Sequence, residues 1–259
     1  MNSKNTSKTS KKPPVIVILG PTASGKTGVS IEVAKKINGE IISADSRTIY
    51  KGMNIGTAKP TEQEQGTIQH FGFDLVEPGE RFTVADWKKY AEQKIKEIES
   101  RGHIPIIVGG TGLYIDALVF DYQFNHQPTK NSSTAPDRET MCSNYLLIGI
   151  KTDKEELRER IKKRINILFN NKLYEETRAL VKKYGWNNQA MKANIYQFVW
   201  RYLQGEISLD EAKRLSVFDD WHLAKRQLTW FKRNKKIFWL PLAEITDFVI
   251  KYIQDEQNE

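Results

Sequence analysis

Residues 20–27 read Gly-Pro-Thr-Ala-Ser-Gly-Lys-Thr, a match to G-x-x-x-x-G-K-[ST], the pattern that wraps backbone amides around a phosphate chain. The glycines Gly20 and Gly25 let the loop curl, so that the amides of Pro21's successors Thr22, Ala23 and Ser24 can point at one anion. A helix starting at the loop's end adds the positive end of its dipole. Lys26 would then place a point charge on a terminal phosphate, and Thr27 would offer its hydroxyl to Mg²⁺. From average composition, such a string arises by chance in about 1% of chains of this length, so a fortuitous glycine-rich turn is the weaker reading. What binds there stays open at this level. An ATPase would place an aspartate at the end of a buried strand, but the run Ile104–Val108 ends in Gly-Gly-Thr-Gly. The nearest acid after a strand is Asp45. Asp45 and Thr111 both follow predicted strands and so face the crevice at the strands' carboxyl ends. Each also has a plainer reading, Asp45 as a turn residue or cap and Thr111 as an N-cap.

The elements that must position these groups alternate. Val15–Leu19 reads as a strand, Gly25–Ile37 as a helix ended by Asn38-Gly39, Glu40–Ala44 as a second strand and Phe73–Val76 as a short third. Thr83–Ser100 is helical, with only a weak capping box at Thr83 and Asp86. Ile104–Val108 and Tyr145–Ile150 are further strands. This rhythm predicts an α/β fold, a parallel sheet covered by helices on both faces. After Ile150 the chain is nearly all helical, over 153–170, 174–184, 194–203 and 208–233, with Lys236–Leu240 able to return a strand to the sheet. Four parts follow: a disordered basic tail over 1–12, a core over 13–120, a polar Pro/Ser/Asn-rich loop over 121–144, and a helical, basic portion over 145–259 that also completes the sheet.

Composition sets limits. The 259 residues are 39% apolar and 28% charged, with no run near the roughly 20 apolar residues a membrane helix needs. One cysteine, Cys142, excludes an internal disulfide framework and a cysteine-rich zinc site. His70, His103, His126 and His222 share no ligand spacing. The expected setting is cytoplasmic, away from membranes. The net charge of +8 is uneven: residues 1–150 carry an excess of +2 and residues 151–259 of +6, so a polyanion would dock on the later part. Trp221–Lys236 holds six Lys/Arg and no acid, with Trp221, Trp230 and Phe231 interleaved. That mixture suits RNA phosphates and stacked bases, with Lys225, Arg226, Lys232 and Arg233 as contacts. It equally describes an amphipathic helix with its aromatics packed inward, and both can hold.

Four blocks in order, GPTASGKT, ISADSRTIYKGMNIGTAKPT (42–61), IPIIVGGTGLYIDAL (104–118) and AKRQLTWFKR (224–233), make the chain resemble the tRNA dimethylallyltransferases, or delta-2-isopentenylpyrophosphate transferases. The resemblance implies a P-loop NTPase-like fold that binds dimethylallyl pyrophosphate with Mg²⁺ and prenylates N6 of the adenosine 3′ to the anticodon. It implies Asp45 as the base on that amine, Thr111 and Arg164 at the departing pyrophosphate, and Asp45, Ser46, Arg47 and Thr48 along the target nucleotide in the tRNA anticodon stem-loop. It implies no obligate protein partner. The chain departs from the pattern in four places. The helical insertion usual after Leu118 is replaced by the short segment 121–144, G-Y-[KR]-E becomes Ile195-Tyr196-Gln197-Phe198, Asp220-Trp221 replaces a Thr-Arg pair, and Thr48 stands where Gln is frequent. These changes bear on the acceptor more than on the donor. Prenyl transfer to a free adenine nucleotide, a catalytically weak RNA-binding relative and a nucleotide kinase are the competing readings.

Overall fold

A computed structural model describes residues 12–124, 144–192 and 195–258. The predicted polar tail therefore lies outside the described residues except for Lys12, which pairs with Glu99 at 2.6 Å. Most of the predicted 121–144 loop lies outside them as well.

Six strands form one parallel sheet. In chain order the elements are β1 (Val15–Leu19), α1 (Lys26–Ile37), β2 (Gly39–Ala44), the single-turn α2 (Glu62–Gln65), β3 (His70–Phe71), α3 (Val84–Ser100), β4 (Ile104–Gly109), α4 (Gly112–Val119) and β5 (Tyr145–Lys151). There follow α5 (Lys154–Leu168), α6 (Asn171–Tyr184), α7 (Ile195–Leu203), α8 (Leu209–Phe231), β6 (Phe238–Pro241) and α9 (Ile245–Asn258). The sheet order is β3-β2-β4-β1-β5-β6, every pairing parallel. β1 lies in the middle with β4 and β5 on either side, so the loop after it opens where the chain order reverses, the place at which parallel sheets bind ligands. The central strand β1 is apolar and buried at every position because both faces are covered. Val15, Val17 and Leu19 pack toward Trp87, Ile98, Tyr114 and Leu118 on α3 and α4. Ile16 and Ile18 pack toward α1 and α9. A third cluster, centred on Leu157, Ile161, Leu173, Tyr196 and Val199, ties α5–α8 together and includes Met53 from the loop after β2.

Several expectations need correction. The third strand is not Phe73–Val76 but His70–Phe71, which pairs with Ile41 and Ile42. Val76 makes only an isolated bridge to Tyr50. A two-residue strand is too short to show alternation. The capping box at Thr83 is complete: Thr83 Oγ1 accepts from Asp86 N at 3.2 Å, while Thr83 N donates to Asp86 Oδ2 at 2.8 Å. The sixth helix begins earlier than Tyr174, because Asn170 caps it by accepting from Leu173 N at 3.2 Å. The last helix, α9, was absent from the sequence reading. Its buried Ile245, Val249 and Ile253 recur every four residues and lie against α1. Within the described residues, no helix is long and apolar enough to cross a membrane.

Candidate active site

The loop between β1 and α1 is built as the sequence predicts. Gly25 takes a left-handed conformation at the N-terminus of α1 (φ 95°), and Ala23 joins it there with φ 60°. A non-glycine residue at such a φ is costly and persists where the surroundings impose it. Lys26 folds back over the loop, donating from Nζ to Gly20 O at 3.0 Å and Pro21 O at 2.6 Å. Burial pulls its pKa down to about 8, with Asp45 opposing that and Arg164 adding to it. These influences put Lys26, Asp45 and Arg164 within electrostatic reach of one another. Ser24 Oγ, just inside the loop, is buried with no hydrogen-bond partner among the described residues, the kind of orphaned group that an oxyanion satisfies.

A cavity of about 790 Å³ opens on this loop. Thr22 to Thr27 line it, as do Asp45 to Thr48, Thr111, Arg164 and Arg226, which are otherwise far apart in sequence. Gly20 and Pro21 shape the loop without lining the cavity; Lys225, Lys232 and Arg233 are exposed elsewhere on the surface. Asp45 serves as a turn residue and still faces the cavity. Its Oδ1 accepts from Arg47 N at 2.8 Å, leaving the second oxygen without a protein partner among the described residues. Thr111 sits at the N-cap of α4 but makes no side-chain cap. Its Oγ1 instead accepts from Ser46 N at 3.0 Å, which ties the loop after β4 to the loop after β2. Thr48 is buried, and its hydroxyl is shared with Ser43 at 3.1 Å, so it forms wall.

Three groups that sequence reasoning passed over complete the site. Gln227 on α8 accepts from Thr22 N at 2.8 Å and donates to Gly110 O at 3.0 Å. One side chain thereby fixes the distance between the cradle and the Thr111 loop. Arg160 donates to Ser24 O at 3.1 Å. His70, one of the histidines without ligand spacing, lines the cavity beside Phe73, with burial lowering its pKa. The A-K-R-Q block contained the signal for Gln227, without its partner.

The Met53–Thr57 segment lies between cavity and helices, with Gly56 and Thr57 on the cavity wall. Glu176 on α6 accepts from the backbone N–H groups of Asn54, Ile55 and Gly56, and from Tyr196 Oη at 2.6 Å. Burial, then the Glu176 charge, raises the Tyr196 pKa, keeping this phenol a donor. A Cβ on Gly56 would overlap the Tyr196 ring, so the glycine is there for close approach. The altered 195–198 stretch thus keeps its tyrosine at work.

The aromatics of the basic stretch pack inward, as the amphipathic-helix reading expects. Phe231 is 2% exposed. Trp230 covers Gly112 and donates to Asp116 Oδ2 at 2.9 Å. Trp221 packs among α5–α8 under Arg158. Lys225, Arg226, Lys232 and Arg233 remain exposed.

No cluster of three His, Cys, Asp or Glu side chains could cage a metal among the described residues. The donor set at the cradle, the Thr27 hydroxyl with Asp45 on the same cavity, would fit Mg²⁺ held mainly by phosphate oxygens and water.

The IPP transferase family model matches residues 48–141 and 124–234, and an isopentenyl transferase model matches 13–76. A tRNA dimethylallyltransferase of Acetivibrio thermocellus is 37% identical over 87% of this chain and 91% of its own length. That of Bacillus subtilis is 33% identical over 93% and 94%. The crystal structure of a Staphylococcus epidermidis tRNA delta(2)-isopentenylpyrophosphate transferase superposes with a TM-score of 0.83 at 35% identity, covering 94% of this chain and all of that one. A full-length tRNA isopentenylpyrophosphate transferase from Bacillus halodurans gives 0.82 at 29% identity, over 95% and 99%. With the cradle, the strand-end carboxylate and these matches agreeing, the chain belongs to the IPP transferase family.

Proposed function

We propose that this protein transfers the dimethylallyl group of dimethylallyl pyrophosphate to N6 of the adenosine 3′-adjacent to the anticodon in tRNA, releasing pyrophosphate. The observation that carries the reading is the cavity in which Thr22–Thr27, with Lys26 among them, and Arg164 meet Asp45 and Thr111. The cavity is cationic and rich in backbone amides at the cradle, as a diphosphate requires, and it also presents a carboxylate, as an amine nucleophile requires.

An adenine amino group is a poor nucleophile because its lone pair is delocalised. Asp45 accepts a proton from it as the N6–C1 bond forms, a contribution of typically 10²–10⁴-fold. The C1–O bond breaks as charge collects on the pyrophosphate, which the cradle amides, Lys26 and Arg164 stabilise; one such donor is worth about 3–4 kcal/mol. Thr111 orients the loops around the leaving group. Mg²⁺, held through Thr27 and the phosphates, would supply further charge neutralisation. The exposed Lys225, Arg226, Lys232 and Arg233 would bind RNA phosphates from the outside, in the cytoplasm. Purified protein given labelled dimethylallyl pyrophosphate, Mg²⁺ and unmodified tRNA should label the RNA. Label appearing only on AMP would transfer the assignment to a small acceptor, and no transfer at all would end it.

A further inference from the structure

Arg164 is shared between the cradle and a carboxylate. Its Nη2 donates to Thr22 Oγ1 at 2.7 Å and to Asp220 Oδ2 at 2.5 Å, and both Arg164 and Asp220 line the cavity. The two side chains are 29% and 15% exposed, so the pair is only weakly screened by water. One nitrogen carries both bonds, while Nε is buried with no partner. A guanidinium has five donors in a planar fork, and this pose leaves the fork poorly used. A diphosphate oxygen pair matches it better. Asp219, next in the chain, also lines the cavity, and burial and the Asp220 charge raise its pKa. Carboxyl groups on the rim of an anion site oppose the tightest anion binding.

We propose that Asp220 is an internal counter-anion that competes with the diphosphate for Arg164 and so limits how tightly product pyrophosphate is retained. This rests on the reading of the cradle as a diphosphate site. A diphosphate must either take the guanidinium from Asp220 or sit beside an unreleased carboxylate, and both weaken the bound state. When pyrophosphate leaves, Asp220 recaptures Arg164, so the half-buried cation is not left unpaired, a costly condition. Asp220 acts through Arg164 and is a positioning residue.

Calorimetric titration of inorganic pyrophosphate with Mg²⁺ into the full chain tests this. Asp220→Asn and Asp220→Thr should each bind pyrophosphate about tenfold tighter than the wild type. Their steady-state turnover should fall through slower product release, while a single turnover keeps its rate. If Asp220 merely supported Arg164, both variants would bind more weakly; equal or weaker binding overturns the proposal. Thermal melts check folding, and Asp220→Thr decides if Asp220→Asn melts early. Wild-type transfer to tRNA without any gain in the variants' pyrophosphate affinity sinks the role of Asp220 alone. Tighter pyrophosphate binding with no transfer to any acceptor sinks the transferase reading and leaves this one standing.

Discussion

On one wall of the cavity the working groups are neighbours in the chain: Thr22 to Thr27 form a loop whose shape comes from its own backbone and from β1 and α1 on either side. On the facing wall they are assembled from afar. Gln227 reaches Thr22 across 205 residues, Arg164 reaches Asp220 across 56, and Glu176 holds Ile55 across 121. The first wall is a local motif and can only bind. The second depends on α5–α8 packing and determines what the bound group meets.

The largest expected effect comes from cutting the chemistry out of the cavity. Asp45→Asn keeps the size of the side chain and should lower single-turnover transfer by about 10²–10⁴-fold while leaving RNA affinity in a gel shift unchanged. Full activity would remove Asp45 as the base. The first wall is probed by pH. Lys26 has its pKa lowered to about 8, so in the folded protein the ammonium is penalised below that pH and loses its proton before an unfolded lysine would. A bound diphosphate favours the ammonium. Pyrophosphate affinity should therefore hold up to about pH 8 and fall above it, approaching tenfold per pH unit, with one proton taken up on binding. A flat titration between pH 7 and 10 would mean that Lys26 does not face the anion.

The remaining two predictions separate the walls by stability. Gly56→Ala forces the Tyr196 ring to move and should cost about 1–3 kcal/mol of folding stability, read as a lower urea midpoint, with pyrophosphate binding retained. If binding to the cradle were lost as well, the walls would not be independent. Gln227→Ala removes the staple and leaves Thr22 N and Gly110 O to find other partners. About 1–2 kcal/mol should be lost, mostly as slower transfer, because the spacing of the two loops changes while each loop survives.

How much was readable in advance follows the same division. The cradle was legible because its pattern is local, and Asp45 and Thr111 because they follow strands whose carboxyl ends must converge in a parallel sheet. Gln227 stood inside a recognised block, yet a side chain bridging two loops leaves no periodic trace. Trp230 and Phe231 sit in a basic stretch that suggests exposure, whereas their rings fill space beside Gly112 and in the core. α9 lay outside the expected elements although Ile245, Val249 and Ile253 carry helical spacing; Phe248, Ile250 and Tyr252 between them blur the period, and the signal is faint next to the strands' solid runs.

The place of β1 and α1 has a consequence for biosynthesis. The phosphate loop emerges early, but β1 needs β4 and β5 as its sheet neighbours. α1 is flanked by α9, and Leu242 lies beside Gly25. Translated from the amino terminus, the binding motif is thus made well before the helix that braces it. A nascent chain released short of Ile245 would carry the motif without its brace, so a ribosome would have to deliver α9 before the loop could grip its anion.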